Sequence, residues 1–202
     1  MSHPSTAGYA EQADGLLVRY EARSPEAVLA GFLPWLPPGP AEVLDVGAGT
    51  GRDAAYLARL GHQVVAVEPV RELREGAQRL HPEPITWVDD ALPSLSSLDG
   101  RAPFAFVLAN AVWMHLDASE RAEAMARIAA LLGVGGRFAL TLRHGPVPQG
   151  RRMFPVSGEE TAALGAQHGL VVKRQERRAS LAPENVARGI AWTQLVLQQE
   201  RP

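Results

Sequence analysis

Cysteine is absent from the 202 residues, which excludes a disulfide framework, a thiolate metal site and a cysteine nucleophile. Lysine is nearly absent: Lys173 stands alone beside nineteen arginines, a bias that reads as a coding habit of the source genome rather than as recognition chemistry. Neither sign of charge dominates, with 20 basic against 22 acidic residues and a net charge of -2. No general affinity for nucleic acid or for an anionic membrane follows from that balance. The histidines at 3, 62, 81, 115, 144 and 168 include no pair at helical ligand spacing, so no zinc or iron site is expected. No apolar run reaches membrane-spanning length, and Met1 to Asp14 lack a basic start and an apolar stretch. A cytoplasmic protein is the expectation. There is no internal repeat.

What is present is an ordinary globular mixture, 46% hydrophobic and 21% charged, in a length that suits one domain built around a sheet. Proline and glycine recur at intervals that suggest alternating strands and helices. Tyr9 to Tyr20 reads as a weak helix. Ser24 and Pro25 open a second, whose apolar positions Val28, Leu29, Phe32, Leu33 and Leu36 run to Pro37-Pro38. Strands are expected at Glu42–Val46, Gln63–Glu68, Ile85–Val88, Phe104–Leu108, Arg137–Leu142, from Leu170, and at Ile190–Leu197. Helices fall between the earlier ones: Arg52 to Leu60, Val70 to Leu80, one capped by Asp117 and Glu120, and one capped by Ser157 and Glu160. Gly135-Gly136 reads as the turn into the fifth strand. Between the last two strands only Ala179 to Gly189 is available, too short for a helical crossover, so the final strand should run antiparallel.

The most informative stretch is Asp45-Val46-Gly47-Ala48-Gly49-Thr50-Gly51, between a strand and a helix. Glycines at alternate places admit backbone conformations closed to other residues and let a ligand lie against the main chain, while the next helix offers free amides. Dinucleotide folds space their glycines G-x-G-x-x-G, and counted from Gly47 the third place falls on Arg52, too large for close helix–strand packing. The third glycine here is Gly51.

This D-x-G-x-G-x-G run resembles motif I of the class I S-adenosylmethionine-dependent methyltransferases. Further along, Glu68 ends the second strand at the distance expected of a ribose-binding acid, Asp89-Asp90-Ala91 follows the third, and Leu131 to Arg137 resembles the family's turn before strand five. The resemblance covers roughly residues 40 to 197. It implies a Rossmann-like, doubly wound α/β fold of seven strands, mostly parallel with the last antiparallel and with helices on both faces. It further implies an S-adenosylmethionine domain over 40–202, behind an N-terminal helical lid over 1–39.

Residue by residue, the resemblance implies that Gly47, Ala48, Gly49 and Gly51 lie under the methionine part of the cofactor and that Asp45 meets its amino group. Glu68, with Pro69, would hold the ribose; Asp90 or Asp89, with Ala91, the adenine; and Asn110 and Ala111 the methionine moiety again. Arg52 and Asp53 read as a salt bridge and a favourable helix start. His115 and His144 are the candidate proton acceptors for an acceptor hydroxyl or amine, the alternative for His115 being a histidine merely hydrogen-bonded within its loop. Trp113 reads as pocket wall or core. Arg143, Arg151 and Arg152 suit an anionic substrate or a solvated loop. Tyr20, with Tyr9 and Arg23, would fold over the cofactor as part of the lid and supply substrate contacts.

The function so implied is transfer of a methyl group to an oxygen or nitrogen of a small molecule, an anionic one where the arginines hold it, by a monomer or homodimer with no nucleic-acid or membrane partner. A methyltransferase acting on protein or RNA stays open, although Ala109-Asn110-Ala111-Val112 lacks the N/D-P-P-Y/F/W signature of the amino-group enzymes on DNA and glutamine. A non-catalytic nucleoside-binding protein and an NAD(P)-dependent Rossmann protein also stay open.

Overall fold

Short apolar runs supply the strands and amphipathic segments the helices, and a computed structural model of the chain describes residues 4–101 and 103–200. Residues 1–3 of the expected lid, His3 among them, and 201–202 of the expected domain lie outside the described residues. Seven strands, β1 (Glu42–Val46), β2 (Gln63–Val67), β3 (Ile85–Val88), β4 (Phe104–Ala109), β5 (Leu132–His144), β6 (Leu170–Ala179) and β7 (Ala191–Gln199), form one sheet. Their order is β3-β2-β1-β4-β5-β7-β6. The pairs among β1 to β5 are parallel, and β7 runs antiparallel to both β5 and β6. This is the Rossmann-like arrangement the sequence implies.

Helices α1 (Ala13–Glu21) and α2 (Pro25–Leu29) precede the sheet, and α3 (Arg52–Arg59), α4 (Arg71–Leu80), α5 (Ala118–Leu131) and α6 (Gly158–Gln167) connect its strands. Strand alternation splits the core in two, because successive side chains point to opposite faces. Leu44, Val65, Val107 and Leu140 pack with Met125 and Ile128 of α5 on one face, while Val43, Val64, Phe106 and Ala139 meet Leu29 of α2 and Leu57 of α3 on the other. A third cluster seats Ala13 and Leu16 of α1 on Val70 and Leu73 at the start of α4. Among the described residues no helix is long and apolar enough to cross a membrane.

Three local expectations need correction. The helix expected from Pro25 to Leu36 stops at Leu29 and resumes only as a 3-10 turn at Leu33–Trp35. Pro34, within that turn, has no amide to give an α-helical ladder, and its ring opposes continuation. Gly135-Gly136 is not a turn outside the strand. β5 begins at Leu132, and its pairing jumps from Phe104↔Leu132 to Phe106↔Arg137, so the glycines form an irregularity inside it. A Cβ on Gly136 would stand 2.9 Å from the Phe104 carbonyl oxygen, which is why only glycine fits. Finally, the β6–β7 connection holds a short helix, α7 (Pro183–Ala187), too brief to alter the antiparallel return.

Candidate active site

The loop after β1 is fixed from below before any ligand is considered. The amides of Gly47 and Ala48 both donate to the Val67 carbonyl, at 2.8 and 3.0 Å, tying the loop to the end of β2. Gly47, Gly49 and Gly51 adopt φ of 68°, 58° and 81°, the left-handed region in which a Cβ is costly. Their surroundings differ. A Cβ on Gly47 would lie 2.6 Å from a Val112 methyl, whereas one on Gly49 would meet nothing closer than 4.0 Å. A Cβ on Gly51 would press on Trp87, His81 and Ala77, so Gly51 serves packing and does not line the cleft.

That cleft, about 500 Å³, opens across the carboxyl ends of β1 to β5, where ligands of open α/β sheets sit. Asp45, Gly47, Ala48, Gly49, Glu68 and Pro69 line its floor. Glu68 is buried; its Oε2 accepts the Gly49 amide at 2.7 Å and its Oε1 the Val70 amide at 2.8 Å. Burial outweighs those bonds and pushes the carboxyl up to about 7. Asp45 is buried as well, with Oδ2 unpartnered among the described residues. Burial first and the Asp53 charge second hold its pKa well above the ordinary range. A buried acceptor of this kind calls for a donor.

Past β3 the two aspartates separate. Asp90 lines the cleft, and its oxygens accept the amides of Ala91 and Ser97, each at 2.7 Å. Asp89 turns outward to Arg74 at 2.9 Å and is no part of the cleft. Ala91 and Ala111 line it, Ala111 at φ 62°. Asn110 lines it too, but its side chain is engaged at both ends: Nδ2 donates to Asp53 at 2.8 Å, and Oδ1 accepts the Thr141 hydroxyl at 3.0 Å. Arg52 completes this chain, donating to Asp53 at 2.8 Å and to the Tyr20 carbonyl at 2.9 Å. The expected salt bridge therefore also fastens α1 to the loop.

Tyr9, Tyr20, Arg23, His115, Arg143 and Arg151 line the roof and far wall. Nδ1 of His115 stands 2.7 Å from the Arg152 carbonyl and Nε2 stands 3.0 Å from the Tyr9 hydroxyl. A carbonyl only accepts, so Nδ1 bears the proton, Nε2 is the open acceptor, and Tyr9 donates to it. Burial keeps His115 below its usual pKa, and the cations of Arg151 and Arg143 act the same way. Arg151 stacks over the Tyr9 ring at 3.6 Å and donates to the Ala7 carbonyl and the Gln12 side chain, pinning the segment that carries Tyr9.

Three further candidate site residues lie outside the cleft. Trp113 is fully buried in the core, edge-on to Phe138. Arg152 is held by Asp117 and Glu120 at 3.1 and 2.7 Å, so it organises the start of α5 rather than a substrate. His144 donates to or accepts from Thr193 at 2.8 Å and lines only a smaller neighbouring recess. Unforeseen cleft residues include Arg178, Arg188, Ile190 and Trp192, and Met153 lines the cleft as well. Those from the β6–β7 region had no signal of their own, since only the return of β7 beside β5 brings them to the cleft.

The methyltransferase domain family matches residues 17–175, and the chain belongs to that family. Solved structures like it include S-adenosylmethionine-dependent methyltransferases and enzymes crystallised with S-adenosylhomocysteine. A TehB-like S-adenosylmethionine-dependent methyltransferase from Corynebacterium glutamicum shares the fold with a TM-score of 0.67 at 20% identity, over 94% of this chain and 98% of that one. The 1,6-didemethyltoxoflavin-N1-methyltransferase of Burkholderia thailandensis, crystallised with 1,6-didemethyltoxoflavin and S-adenosylhomocysteine, gives a TM-score of 0.67 at 26% identity over 100% and 92% of the two chains. An uncharacterized methyltransferase of Mycobacterium tuberculosis is 35% identical over 109 residues, 52% of this chain and 42% of that protein. The chain thus matches less than half the length of such curated relatives.

Proposed function

We propose that this chain transfers the methyl group of S-adenosylmethionine to an oxygen or nitrogen of a small-molecule acceptor. The observation that carries the reading is the unpartnered, buried Oδ2 of Asp45 beside Glu68 on the floor of a cleft whose opposite wall presents the acceptor nitrogen of His115. A cationic amino group suits the first, a ribose diol the remaining lone pairs of the second, and an adenine the part of the cleft lined by Asp90 and Ala91. Gly47 and Gly49 leave the backbone bare for the methionine part. The likeness to the Burkholderia enzyme supports a small acceptor.

When bound, the cofactor supplies a methyl group already activated by a sulfonium, so the protein's task is alignment and control of one proton. Alignment of this kind contributes roughly 7–11 kcal/mol in favourable cases. Burial and neighbouring arginines keep His115 neutral, its tautomer is set by the Arg152 carbonyl, and Nε2 takes the proton of an acceptor hydroxyl or amine, directly or through the Tyr9 hydroxyl that already bonds it. Residues 4–21 close the cleft from above, which gives the N-terminal segment the role of a lid.

The test is transfer of a labelled methyl group from S-adenosylmethionine into metabolite pools by the full chain and by Glu68→Ala and His115→Gln. A labelled small molecule made by the unaltered chain, lost in the first variant and about 100-fold slower in the second, is the expected result. Label appearing only in protein or RNA, or labelling indifferent to Glu68→Ala, contradicts the reading.

A further inference from the structure

The sheet order divides the cleft by charge. Asp45, Glu68 and Asp90 stand at the ends of β1, β2 and β3, and Asp53 opens α3, so the acids share the half of the sheet assigned above to the cofactor. Across β4, the ends of β5 and β6 and the β6–β7 connection contribute Arg143, Arg178 and Arg188, and Met153, Ile190 and Trp192 also line the cleft.

Most arginines of the cleft are already satisfied. Arg52 is paired with Asp53 at 2.8 Å, Arg23 with Glu184 at 3.4 Å and Arg178 with Glu176 at 2.8 Å. Arg151 is engaged by Tyr9, Ala7 and Gln12. Arg19, exposed on α1, lies over the Tyr20 ring. Arg143 and Arg188 differ, standing on the β5 and β6–β7 side of the cleft. Arg143 donates only to the carbonyls of Gly145 and Pro146, at 3.4 and 2.9 Å, and among the described residues neither it nor Arg188 forms an ion pair. Burial disfavours the Arg143 charge, and the Arg188 cation opposes it further, as expected of two like charges facing one volume. Glu184, the nearest acid in chain position, is committed to Arg23.

We propose that the methyl acceptor is a small organic anion, its carboxylate or phosphate gripped by the guanidinium forks of Arg143 and Arg188 and its carbon frame enclosed by Met153, Ile190 and Trp192. The proposal rests on the methyltransferase reading above and names the acceptor class for it. Planar forks match both oxyanions through paired hydrogen bonds, and an apolar wall beside them selects a body rather than a bare ion. An anion there also offsets the arginine charges that oppose protonation of His115, so binding the acceptor prepares the base. The competing occupant is the carboxylate of the cofactor's own methionine part. The position of both arginines beyond β4, away from the loop after β1, argues against it.

Calorimetry on the full chain saturated with S-adenosylhomocysteine tests this, with benzoate, phenyl phosphate and neutral benzamide as probes, for the unaltered chain, Arg143→Gln, Arg188→Gln and the double variant. At least one anion should bind about tenfold more tightly than benzamide and lose about tenfold in each single variant, while S-adenosylhomocysteine affinity stays within about twofold as the control for folding and for the cofactor site. The preferred probe tells carboxylate from phosphate. Benzamide binding as well as the anions, anion binding that survives the double variant, or no anion binding overturns the proposal. So does a loss of S-adenosylhomocysteine affinity in the variants, which assigns the arginines to the cofactor. Failure of the unaltered chain to bind S-adenosylhomocysteine sinks the methyltransferase reading itself and takes this proposal with it.

Discussion

Gly49 donates its amide to Oε2 of Glu68 at 2.7 Å, so the carboxylate proposed to hold the ribose also fixes the glycine loop proposed to hold the methionine part. Loss of that carboxylate therefore acts on both ends of the cofactor at once. Glu68→Ala should weaken S-adenosylhomocysteine binding more than Glu68→Gln, which keeps an oxygen for the Gly49 amide. Calorimetry at one pH ranks the two, and equal losses would show that the loop tie contributes nothing.

The raised Glu68 pKa, about 7, gives a pH dependence with a definite sign. Ribose hydroxyls donate to the ionised carboxylate, so binding favours release of the proton and affinity should rise between pH 6 and pH 8 by up to about tenfold. Glu68→Gln should flatten that rise. The Glu68 contribution to stability of the free protein runs the other way. Its folded pKa lies above its ordinary value, so the folded state holds the proton longer, and stability falls as pH rises from about 4.5 to about 7. Affinity independent of pH in the unaltered chain would contradict the assignment.

Gly47 and Gly49 share a left-handed backbone but not a neighbourhood, and alanine at each separates the two costs. Gly49→Ala should lose only the conformational term, about 1–2 kcal/mol. Gly47→Ala adds a collision with Val112 at 2.6 Å, for a further penalty of about 1–3 kcal/mol. Denaturant midpoints measure the difference, and equal losses would place the cost in the backbone alone.

Deleting residues 1–22 should leave a folded chain with no turnover. It removes Tyr9 and Tyr20 from the cleft, the Glu21 carboxylate that Thr50 meets at 2.5 Å, and the Tyr20 carbonyl that Arg52 meets at 2.9 Å. It also uncovers Val70 and Leu73, so the unfolding midpoint should drop. Circular dichroism follows the fold and methyl transfer the activity; unchanged turnover would end the role of this segment as a lid.

The strand framework was legible because β1 to β4 are apolar runs bounded by glycine or proline, and because a run too short for a crossover dictates an antiparallel return. Asp45 and Glu68 were legible for a related reason: both sit at carboxyl ends of predicted parallel strands. Of Asp89 and Asp90 the second was the first choice for the adenine, but only the backbone after β3 decides which one turns inward. Trp113 and Arg152 each kept two readings because composition near a cleft does not reveal direction. One side chain enters the core, and the other is taken by two acids at the head of α5. Arg188 and Trp192 were invisible for a topological reason, as the pairing of β7 with β5, not local sequence, brings them to the cleft.

Titration of the unaltered chain with S-adenosylhomocysteine and, separately, with NADH tests the central claim most directly. Saturable binding of the sulfur nucleoside with no heat from the dinucleotide is the predicted result. Binding of NADH, or of neither ligand, would contradict it.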